Sequence, residues 1–363
     1  MVNVNDIRVY IKGFQSIKKL VSILIPTMVA LIYFVILITV FESTHSVPSS
    51  SKLKLVIDQD GGADDAMAIF MALLNEKYYK GPKLIALTTT HGNVGEEQVF
   101  NNTQRILAVA NRRDIPIYRG SNKALIKGSE PDHYFGYDGL GDNNTDTFKS
   151  IRAQREPAVV GLIELSKKYS GSLVIVAFGS LTNIALALRS DPMFLSRLSH
   201  LYIGAGNIYS ENYKEPEFNA YMDVESYHIV ANESTPDKVT IIPFSQILTY
   251  QKISKEWRVK VLGSIDTKIM QAQNRFEQKS LPVDDYWCLL DPAVMGIVLN
   301  EASIVTESRY SNNSIILTGD QRGINTNDFT TKDKANARVI YEVSKEPFKQ
   351  LLYNLFSAEL GSD

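Results

Sequence analysis

The chain contains one cysteine, Cys288, and five histidines among its 363 residues. A single cysteine excludes an intramolecular disulfide, and a zinc site built from cysteine and histidine would need ligands that this sequence lacks. A basic excess is missing too, because 38 lysine and arginine residues face 40 aspartate and glutamate residues. Nucleic acids are bound through clustered positive charge, so we expect no nucleic acid partner and a small neutral ligand instead.

Charge is also absent from one long stretch near the N-terminus, residues 20–41. About 20 apolar residues cross the hydrocarbon core of a bilayer as a helix, and the basic residues before this stretch favour a cytosolic N-terminus. The sequence therefore predicts a single-pass type II membrane protein, with residues 1–19 cytosolic, 20–41 a transmembrane signal anchor, and the rest extracellular or lumenal. A cleaved signal peptide, giving a secreted protein, is the alternative, although its apolar region is normally only about 7 to 15 residues long.

A serine-rich segment, residues 42–52, follows the apolar stretch. Its composition is typical of a solvated stalk, so the folded domain is expected to cover residues 53–363. Four tripeptides in that domain fit the glycosylation pattern Asn-x-Ser/Thr, and they begin at Asn101, Asn143, Asn232 and Asn312. Acceptors of this kind agree with export of the domain.

Short apolar runs alternate with amphipathic stretches through the domain. The runs with strand character are residues 53–57, 84–89, 173–177, 201–203 and 239–242. Apolar residues recur at helical spacing in residues 66–74, 99–110, 159–167 and 181–189. This alternation predicts an α/β fold with a doubly wound, mostly parallel open sheet. Ligands of such sheets bind outside the carboxyl ends of the strands, so polar residues directly after the apolar runs are the candidates for a site.

The first predicted strand ends in an acidic segment that contains Asp58, Asp60, Asp64 and Asp65 and continues directly into a helical run. Four carboxylates this close repel one another unless a cation neutralises them. Calcium takes about six to eight oxygen ligands, and the amino end of the following helix favours negative charge. The segment therefore predicts a calcium site, whereas any one of these residues alone would be interpreted as a helix cap or a loop acid.

The same segment also resembles the Asp-x-Asp-Gly loop of haloacid-dehalogenase-like phosphatases, in which the first aspartate is a phosphoryl nucleophile and the second a general acid. That family does not need the Asp64-Asp65 pair. It does need a downstream acidic metal motif, for which Gly319-Asp320 is a poor match. A phosphatase is therefore the less favoured interpretation.

Five motifs occur in order between residue 53 and the C-terminus. The first is the acidic segment, which follows the pattern Asp-x-Asp-Pro-Gly-x-Asp-Asp except that Gln59 replaces the usual threonine and Gly61 the usual proline. The other four are Gly92-Asn93-Val94, Gly179 to Ala185, the region from Gly206-Asn207 through Glu217-Phe218-Asn219 to Asp223-Val224-Glu225, and Asp291-Pro292. Together they resemble the inosine-uridine-preferring nucleoside hydrolase family, and five ordered motifs are far more specific than any one of them.

The resemblance implies an enzyme that hydrolyses the N-glycosidic bond of ribonucleosides to free base and ribose. It implies that one calcium ion is held by Asp60, Asp65, Asp291 and the backbone carbonyl of Phe178. A calcium-activated water would attack the anomeric carbon, with Asp60 as the general base. Carboxylates around the sugar would favour the positive charge of an oxocarbenium-like transition state.

The family pattern also implies how the ribose is held and how the chain assembles. The residues that would bind the nucleoside are Asp64, Asn93, Asn207, Glu217, Asn219 and Asp291. Among them, Asn207 and Glu217 would reach the 5′-hydroxyl side. Members of the family form dimers or tetramers, so a homo-oligomer is expected.

Two histidines that are frequent in this family are replaced here. Leu290 stands directly before the late Asp-Pro, and Phe135 stands directly before the Gly-x-Asp-Gly loop. Protonation of the departing base would then depend on His133, or on stacking against aromatic residues such as Tyr134, Tyr209, Tyr286 and Trp287. Two outcomes remain open: a purine or mixed-specificity hydrolase that works without these histidines, and a catalytically weak ectodomain that binds calcium and nucleoside.

Overall fold

The structure is a computed structural model that describes residues 53–143 and 149–361. The predicted cytosolic N-terminus, transmembrane anchor and stalk lie outside these residues. No helix within the described ranges is long and apolar enough to cross a membrane.

The strands and helices of the described residues alternate along most of the chain. The strands are β1 (Lys54–Gln59), β2 (Lys83–Thr89), β3 (Ile117–Tyr118), β4 (Leu173–Ala177), β5 (His200–Gly204), β6 (Val239–Ile242), β7 (Ile253–Ser254), β8 (Tyr286–Trp287), β9 (Val305–Ile315), β10 (Asn325–Phe329) and β11 (Ala337–Val343). The α-helices are α1 (Ala63–Tyr79), α2 (Glu96–Val109), α3 (Ala158–Lys168), α4 (Thr182–Ser190), α5 (Phe194–Arg197), α6 (Phe218–Met222), α7 (Val224–Glu233), α8 (Phe244–Tyr250), α9 (Lys255–Trp257), α10 (Lys268–Phe276), α11 (Leu290–Ile304) and α12 (Lys345–Ser357). A short π-helix covers Arg258–Leu262, and 3-10 turns cover Lys332–Lys334 and Ala358–Gly361.

The main sheet has the strand order β10-β9-β11-β6-β5-β4-β1-β2-β3. All neighbouring pairs from β11 to β3 are parallel, and only β9 runs antiparallel to its two neighbours. This confirms the predicted mostly parallel open sheet. The chain order reverses between β1 and β4, so the carboxyl ends of these two strands border the crevice where such sheets bind ligands.

Helices cover both faces of the sheet. Leu55 and Ile57 of β1 belong to a core that also contains α1, α10, α11 and α12, whereas Val56 belongs to a second core with α4 and α7. This alternation follows from the two-residue period of a strand whose two faces are both buried. Helix α1 packs against α10, α11 and α12, so it is buried nearly all round and presents its first turn at the crevice.

The protonation of His200, at the start of β5, makes the stability of the fold depend on pH. Its Nε2 lies 2.8 Å from Thr240 Oγ1, and burial, helped by the charge of Arg338, lowers its pKa from 6.5 to about 4. The folded chain therefore keeps His200 neutral where the unfolded chain would bind a proton. This contribution to stability is complete above pH 6.5 and is lost as the pH falls from 6.5 towards 4, by about 2 to 3 kcal/mol. The free energy of unfolding, measured with urea, should therefore fall less between pH 7.5 and pH 4.5 in His200→Gln than in the unsubstituted chain. An equal fall in both would contradict the assignment.

Candidate functional site

The acidic segment forms a tight loop between β1 and α1. Gly61 has a φ of +82°, a left-handed conformation that glycine adopts without strain. Gly62 is the N-cap of α1, and its backbone N–H donates to Asp65 Oδ2 at 2.7 Å. Asp65 Oδ1 accepts from the backbone N–H of Asp60 at 3.2 Å. Asp65 therefore closes the loop on itself and holds the loop against the amino end of the helix.

Four buried carboxylates meet at this loop. Oxygen atoms of Asp64, Asp65 and Asp291 lie within 4.8 Å of one another, and the side chains of Asp60 and Asp65 are in direct contact. Asp291 comes from the first turn of α11, more than 200 residues along the chain from the acidic loop. The fold therefore joins the first and the last of the sequence motifs at one point.

Burial dominates the electrostatics of this cluster. Burial first, and then the charges of the neighbouring aspartates, raise the pKa of Asp60, Asp64 and Asp291 well above the ordinary value. Burial also raises the pKa of Asp65 to about 6. No lysine, arginine or histidine within the described residues forms an ion pair with any of the four. Buried carboxylates without a cationic partner are costly, and an all-oxygen donor set fits a hard cation such as calcium.

Asp60 lies in a slot formed by the loops after β2 and β4. Its Oδ2 accepts from the backbone N–H of Asn93 at 3.1 Å. A Cβ atom at Gly179 would lie 2.8 Å from Asp60 Cβ, and a Cβ atom at Gly92 would collide with the Asp60 carboxylate itself. The two glycines therefore leave just enough room for the aspartate, which is 1% exposed.

Phe178 follows β4 directly and brings its backbone to the same place. Its N–H donates to Asp58 O at 2.9 Å, and its carbonyl accepts from Asn219 Nδ2 at 2.6 Å. Asn219 Nδ2 also donates to Gly204 O at 2.9 Å. A carbonyl oxygen has two lone pairs, so the Phe178 carbonyl can accept this hydrogen bond and still bind a cation.

Glu217 and Asn207, both predicted to reach the 5′ side of a ribose, have different surroundings. Glu217 lines the cavity and caps α6, accepting from the backbone N–H groups of Gly206, Asn219 and Ala220 at 2.7, 3.0 and 2.9 Å. Asn207 is outside the cavity wall; its Oδ1 accepts from Ser245 N at 2.9 Å and its Nδ2 donates to Glu215 O at 3.3 Å. The structure thus brings together every predicted site residue except Asn207.

A cavity of about 490 Å³ opens beside the carboxylates. We call the lining residues that belong to the sequence motifs the floor; they are Asp64, Asn93, Phe178, Glu217, Asn219 and Asp291. We call a second set of lining residues the mouth wall; they are Asp132, Tyr134, Phe135, Lys252, Asp284, Asp285, Tyr286, Cys288 and Leu290. Two loops meet in the mouth wall, where the Tyr134 hydroxyl donates to Asp284 Oδ2 at 2.6 Å. The volume is in the range of about 300 to 1000 Å³ that is typical of small-molecule sites.

Only some of the side chains considered for activating a base lie in this cavity. Tyr134 and Tyr286 line it, as do Leu290 and Phe135 at the two histidine positions, but no histidine of the described ranges does. The His133 ring packs on Tyr137 instead, with 4.5 Å between centroids. Trp287 is buried and donates its indole N–H to Glu277, and Tyr209 is half exposed outside the cavity wall.

The mouth wall contains residues that the sequence did not single out. Asp284 and Asp285 form an acidic pair a few residues before the late Asp-Pro, and that pair was an available signal. Lys252 and Cys288 carry no motif, so only the fold could place them in the cavity.

Comparison with known proteins agrees with this geometry. The family described as inosine-uridine preferring nucleoside hydrolase matches residues 55–350. The chain is similar to the inosine-uridine preferring nucleoside hydrolase of Leishmania major, with 30% identity over 262 residues that make up 70% of this chain and 81% of that protein. Among solved structures it is similar to a plant nucleoside hydrolase, with a TM-score of 0.73, 26% identity, and coverage of 85% of this chain and 99% of that one. A purine-preferring ribonucleoside hydrolase from Gardnerella vaginalis gives a TM-score of 0.72, 25% identity, and coverage of 84% and 99%.

Proposed function

The chain belongs to the inosine-uridine preferring nucleoside hydrolase family, and from that premise we propose that it hydrolyses ribonucleosides to free base and ribose at a calcium site. The observation that carries the proposal is the convergence of four buried carboxylates, from Asp60, Asp64, Asp65 and Asp291, beside a cavity of about 490 Å³. The oxygen donors fit calcium, which binds carboxylates and backbone carbonyls in a flexible geometry.

The proposed ligands are the carboxylates of Asp60, Asp65 and Asp291 and the backbone carbonyl of Phe178. Calcium bound by these oxygens supplies a positive charge that makes a water molecule easier to deprotonate. Asp60 accepts the proton of the attacking water, because its position is fixed by the Asn93 N–H and by the glycine slot. A general base in a fixed position contributes roughly 100- to 10,000-fold to a rate.

The floor residues hold the sugar. A Cβ atom at Gly62 would meet both Asn93 Oδ1 and Asp64 Oδ1, so these two oxygens face the same small space. We assign them, with Asn219, to the 2′- and 3′-hydroxyls, and Glu217 to the 5′ side. The carboxylates around the ring stabilise the positive charge that develops on the sugar more than they stabilise the neutral substrate, which lowers the barrier.

Release of free ribose by the purified full-length chain tests the proposal. Inosine, adenosine, guanosine, uridine and cytidine are each incubated with calcium and with a chelator. Calcium-dependent release from at least one nucleoside is the expected result, and the set of five reports the base preference, for which the relatives' names give both inosine-uridine and purine. A folded chain that binds calcium and nucleoside but releases no ribose would favour the alternative, a catalytically weak binding ectodomain.

Gly92→Ala provides a test of the slot around Asp60. The added methyl group would overlap the Asp60 carboxylate, so we expect calcium affinity and ribose release both to fall by at least about tenfold. Gly95→Ala is the matched control three residues away, because a Cβ atom there has no heavy atom within 4 Å. Equal activities of the two variants, measured alongside calcium titrations, would contradict the assigned position of Asp60.

The position of the chain relative to a membrane is a separate proposal, because the family assignment does not decide it. We propose that residues 20–41 anchor a single-pass type II protein through the stalk at 42–52, with the 53–363 domain extracellular or lumenal and assembled as a homo-oligomer. Three glycosylation sequons within the described residues have exposed asparagines, at Asn101, Asn232 and Asn312. Protease treatment of intact cells would digest an extracellular domain. In sealed microsomes a lumenal domain would be digested only after detergent is added, whereas a cytosolic domain would be digested without it.

A further inference from the structure

Cleavage of an N-glycosidic bond leaves the bonding electron pair on a nitrogen atom of the base. A hydrogen-bond donor beside that nitrogen, or beside a heteroatom conjugated with it, lowers the barrier. Leu290 and Phe135, which line the cavity, offer no donor, and no histidine within the described residues lines it. A donor from the protein would therefore be another side chain of the cavity lining.

Most polar hydrogens of the cavity are already used. Tyr134 donates its hydroxyl hydrogen to Asp284 at 2.6 Å, and Asn219 donates its amide hydrogens to two backbone carbonyls. The Cys288 thiol points at Ile247 O across 3.6 Å, and a thiol is a weak donor. Asn93, Lys252 and Tyr286 remain, and Asn93 is assigned above to the ribose hydroxyls, which leaves Lys252 and Tyr286 for the base.

Lys252 is the one cationic side chain among the described residues that line the cavity. Lys252 is exposed, and its Nζ lies 5.4 Å from the centroid of the Tyr286 ring, a cation–π contact that places the ammonium group beside this ring of the cavity lining. The backbone at this point is also fixed, because β7 pairs with β8, matching Ile253 with Trp287 and Ser254 with Tyr286.

The charge of the cavity makes this cation important. Six carboxylate side chains line the cavity, namely Asp64, Asp132, Glu217, Asp284, Asp285 and Asp291. They favour positive charge on the sugar, but they oppose the negative charge that builds on the departing base. A single ammonium group in the mouth wall offers three donor hydrogens and a full positive charge to oppose that effect.

We propose that Lys252 is the leaving-group residue of this enzyme, donating a hydrogen bond from Nζ to the departing base. The inference rests on the proposed hydrolase function and adds a residue to it. Water forms the new bond to the anomeric carbon and gives one proton to Asp60, while the broken C–N bond leaves its electron pair on the base. Lys252 keeps its proton and stabilises the base anion through the hydrogen bond. The base then takes one proton from solvent, and Asp60 returns to solvent the proton that it accepted, so nucleoside and water are converted to base and ribose without any other reactant.

Lys252→Met tests this with two substrates that differ only in the leaving group. Inosine needs help to release its base, whereas 4-nitrophenyl β-D-ribofuranoside releases a stable phenolate without protonation. We expect kcat for inosine to fall by about 10- to 100-fold, the value of one charged hydrogen bond, and kcat for the nitrophenyl riboside to stay within about twofold. Lys252→Arg keeps the donor and the charge and should restore most of the inosine rate.

Two further variants separate a role of Lys252 from a general effect of losing a lysine and from a role of the Tyr286 hydroxyl. Lys260→Met removes a lysine whose Nζ pairs with Glu256 at 2.9 Å outside the cavity, and it should change neither rate. Equal losses on both substrates in Lys252→Met, or no loss on either, would overturn the inference. An inosine-selective loss in Tyr286→Phe without one in Lys252→Met would also overturn it and assign the role to the tyrosine hydroxyl. If the unsubstituted chain cleaves neither substrate in calcium, the proposed function fails and this inference fails with it.

Discussion

Asp60→Asn is expected to lower kcat for ribose release by about 1000-fold while leaving the fold unchanged. Asparagine has nearly the same shape, so it can fill the slot beside Gly92 and Gly179 and keep the hydrogen bond from the Asn93 N–H. Its amide cannot accept the proton of the attacking water. The measurement is kcat under saturating calcium and nucleoside, with thermal unfolding followed in parallel to show that the variant is folded.

Asp320→Asn is the matched control. Asp320 is exposed between β9 and β10, and it belongs to the Gly-Asp pair that a phosphatase interpretation would have used. A nucleoside hydrolase should not change its rate when this residue is replaced. Retention of more than a tenth of kcat in Asp60→Asn would contradict its role as general base.

The sequence could predict the central part of this fold because burial on both faces imposes a simple pattern. β1, β2, β4, β5 and β6 are short apolar runs, and all five were expected from that pattern. The strands β3, β7, β8, β9, β10 and β11 were not expected. β3, β7 and β8 have two residues each, and β9 and the edge strand β10 are mostly polar. β11 lies between β9 and β6 and carries Arg338 and Glu342 within its apolar run. An edge strand needs only one buried face, so it loses the apolar run that identifies a central strand.

The candidate site also has a part that the sequence could predict and a part that it could not. Most of the floor was predictable, because Asp64, Asn93 and Phe178 follow strands whose carboxyl ends must meet at one edge. Asp291 lies in the first turn of α11 and was predicted only from the motif match. Asn183 of the third motif has a structural role, because it lies in the first turn of α4 and donates to Asp58 Oδ1 at 2.8 Å and to Thr89 O at 2.9 Å. The mouth wall was not predictable, because it depends on which loops pack together. The Tyr134–Asp284 hydrogen bond joins residues 150 positions apart, and no local pattern encodes that contact.

Asn207 shows why a motif match does not fix a role. Its side chain is engaged with Ser245 and Glu215, and it can reach a ligand only if these hydrogen bonds are exchanged. Glu217, by contrast, lines the cavity while both of its oxygens accept from backbone N–H groups. In the proposed ribose site, Glu217 alone is therefore placed to hold the 5′ end, and the predicted contact from Asn207 requires a local rearrangement.

Calcium is expected to raise the Tm of the chain by about 4 °C. At a free calcium concentration about 100 times the dissociation constant, binding to the folded state alone adds about 2.7 kcal/mol, and the unfolding entropy of a domain of roughly 300 residues converts each kcal/mol into about 1.5 °C. Magnesium should give a smaller shift, because it is smaller and prefers a rigid octahedral shell that includes water. The measurement is thermal unfolding with calcium, with magnesium and with a chelator.

The same Tm measurement on Asp291→Asn tests whether calcium binds at the carboxylate cluster. Without a cation, the substitution removes one of four mutually repelling buried carboxylates, so in chelator the variant should unfold at a higher temperature than the unsubstituted chain. With calcium the order should reverse, because the variant has lost a ligand. Asp284→Asn, which removes a carboxylate from the mouth wall and not from the cluster, should keep the full calcium shift. If calcium raises the Tm of Asp291→Asn as much as that of the unsubstituted chain, the cation binds elsewhere. If the order of the two Tm values reverses between chelator and calcium, the carboxylates that destabilise the fold in chelator are the ones that bind calcium.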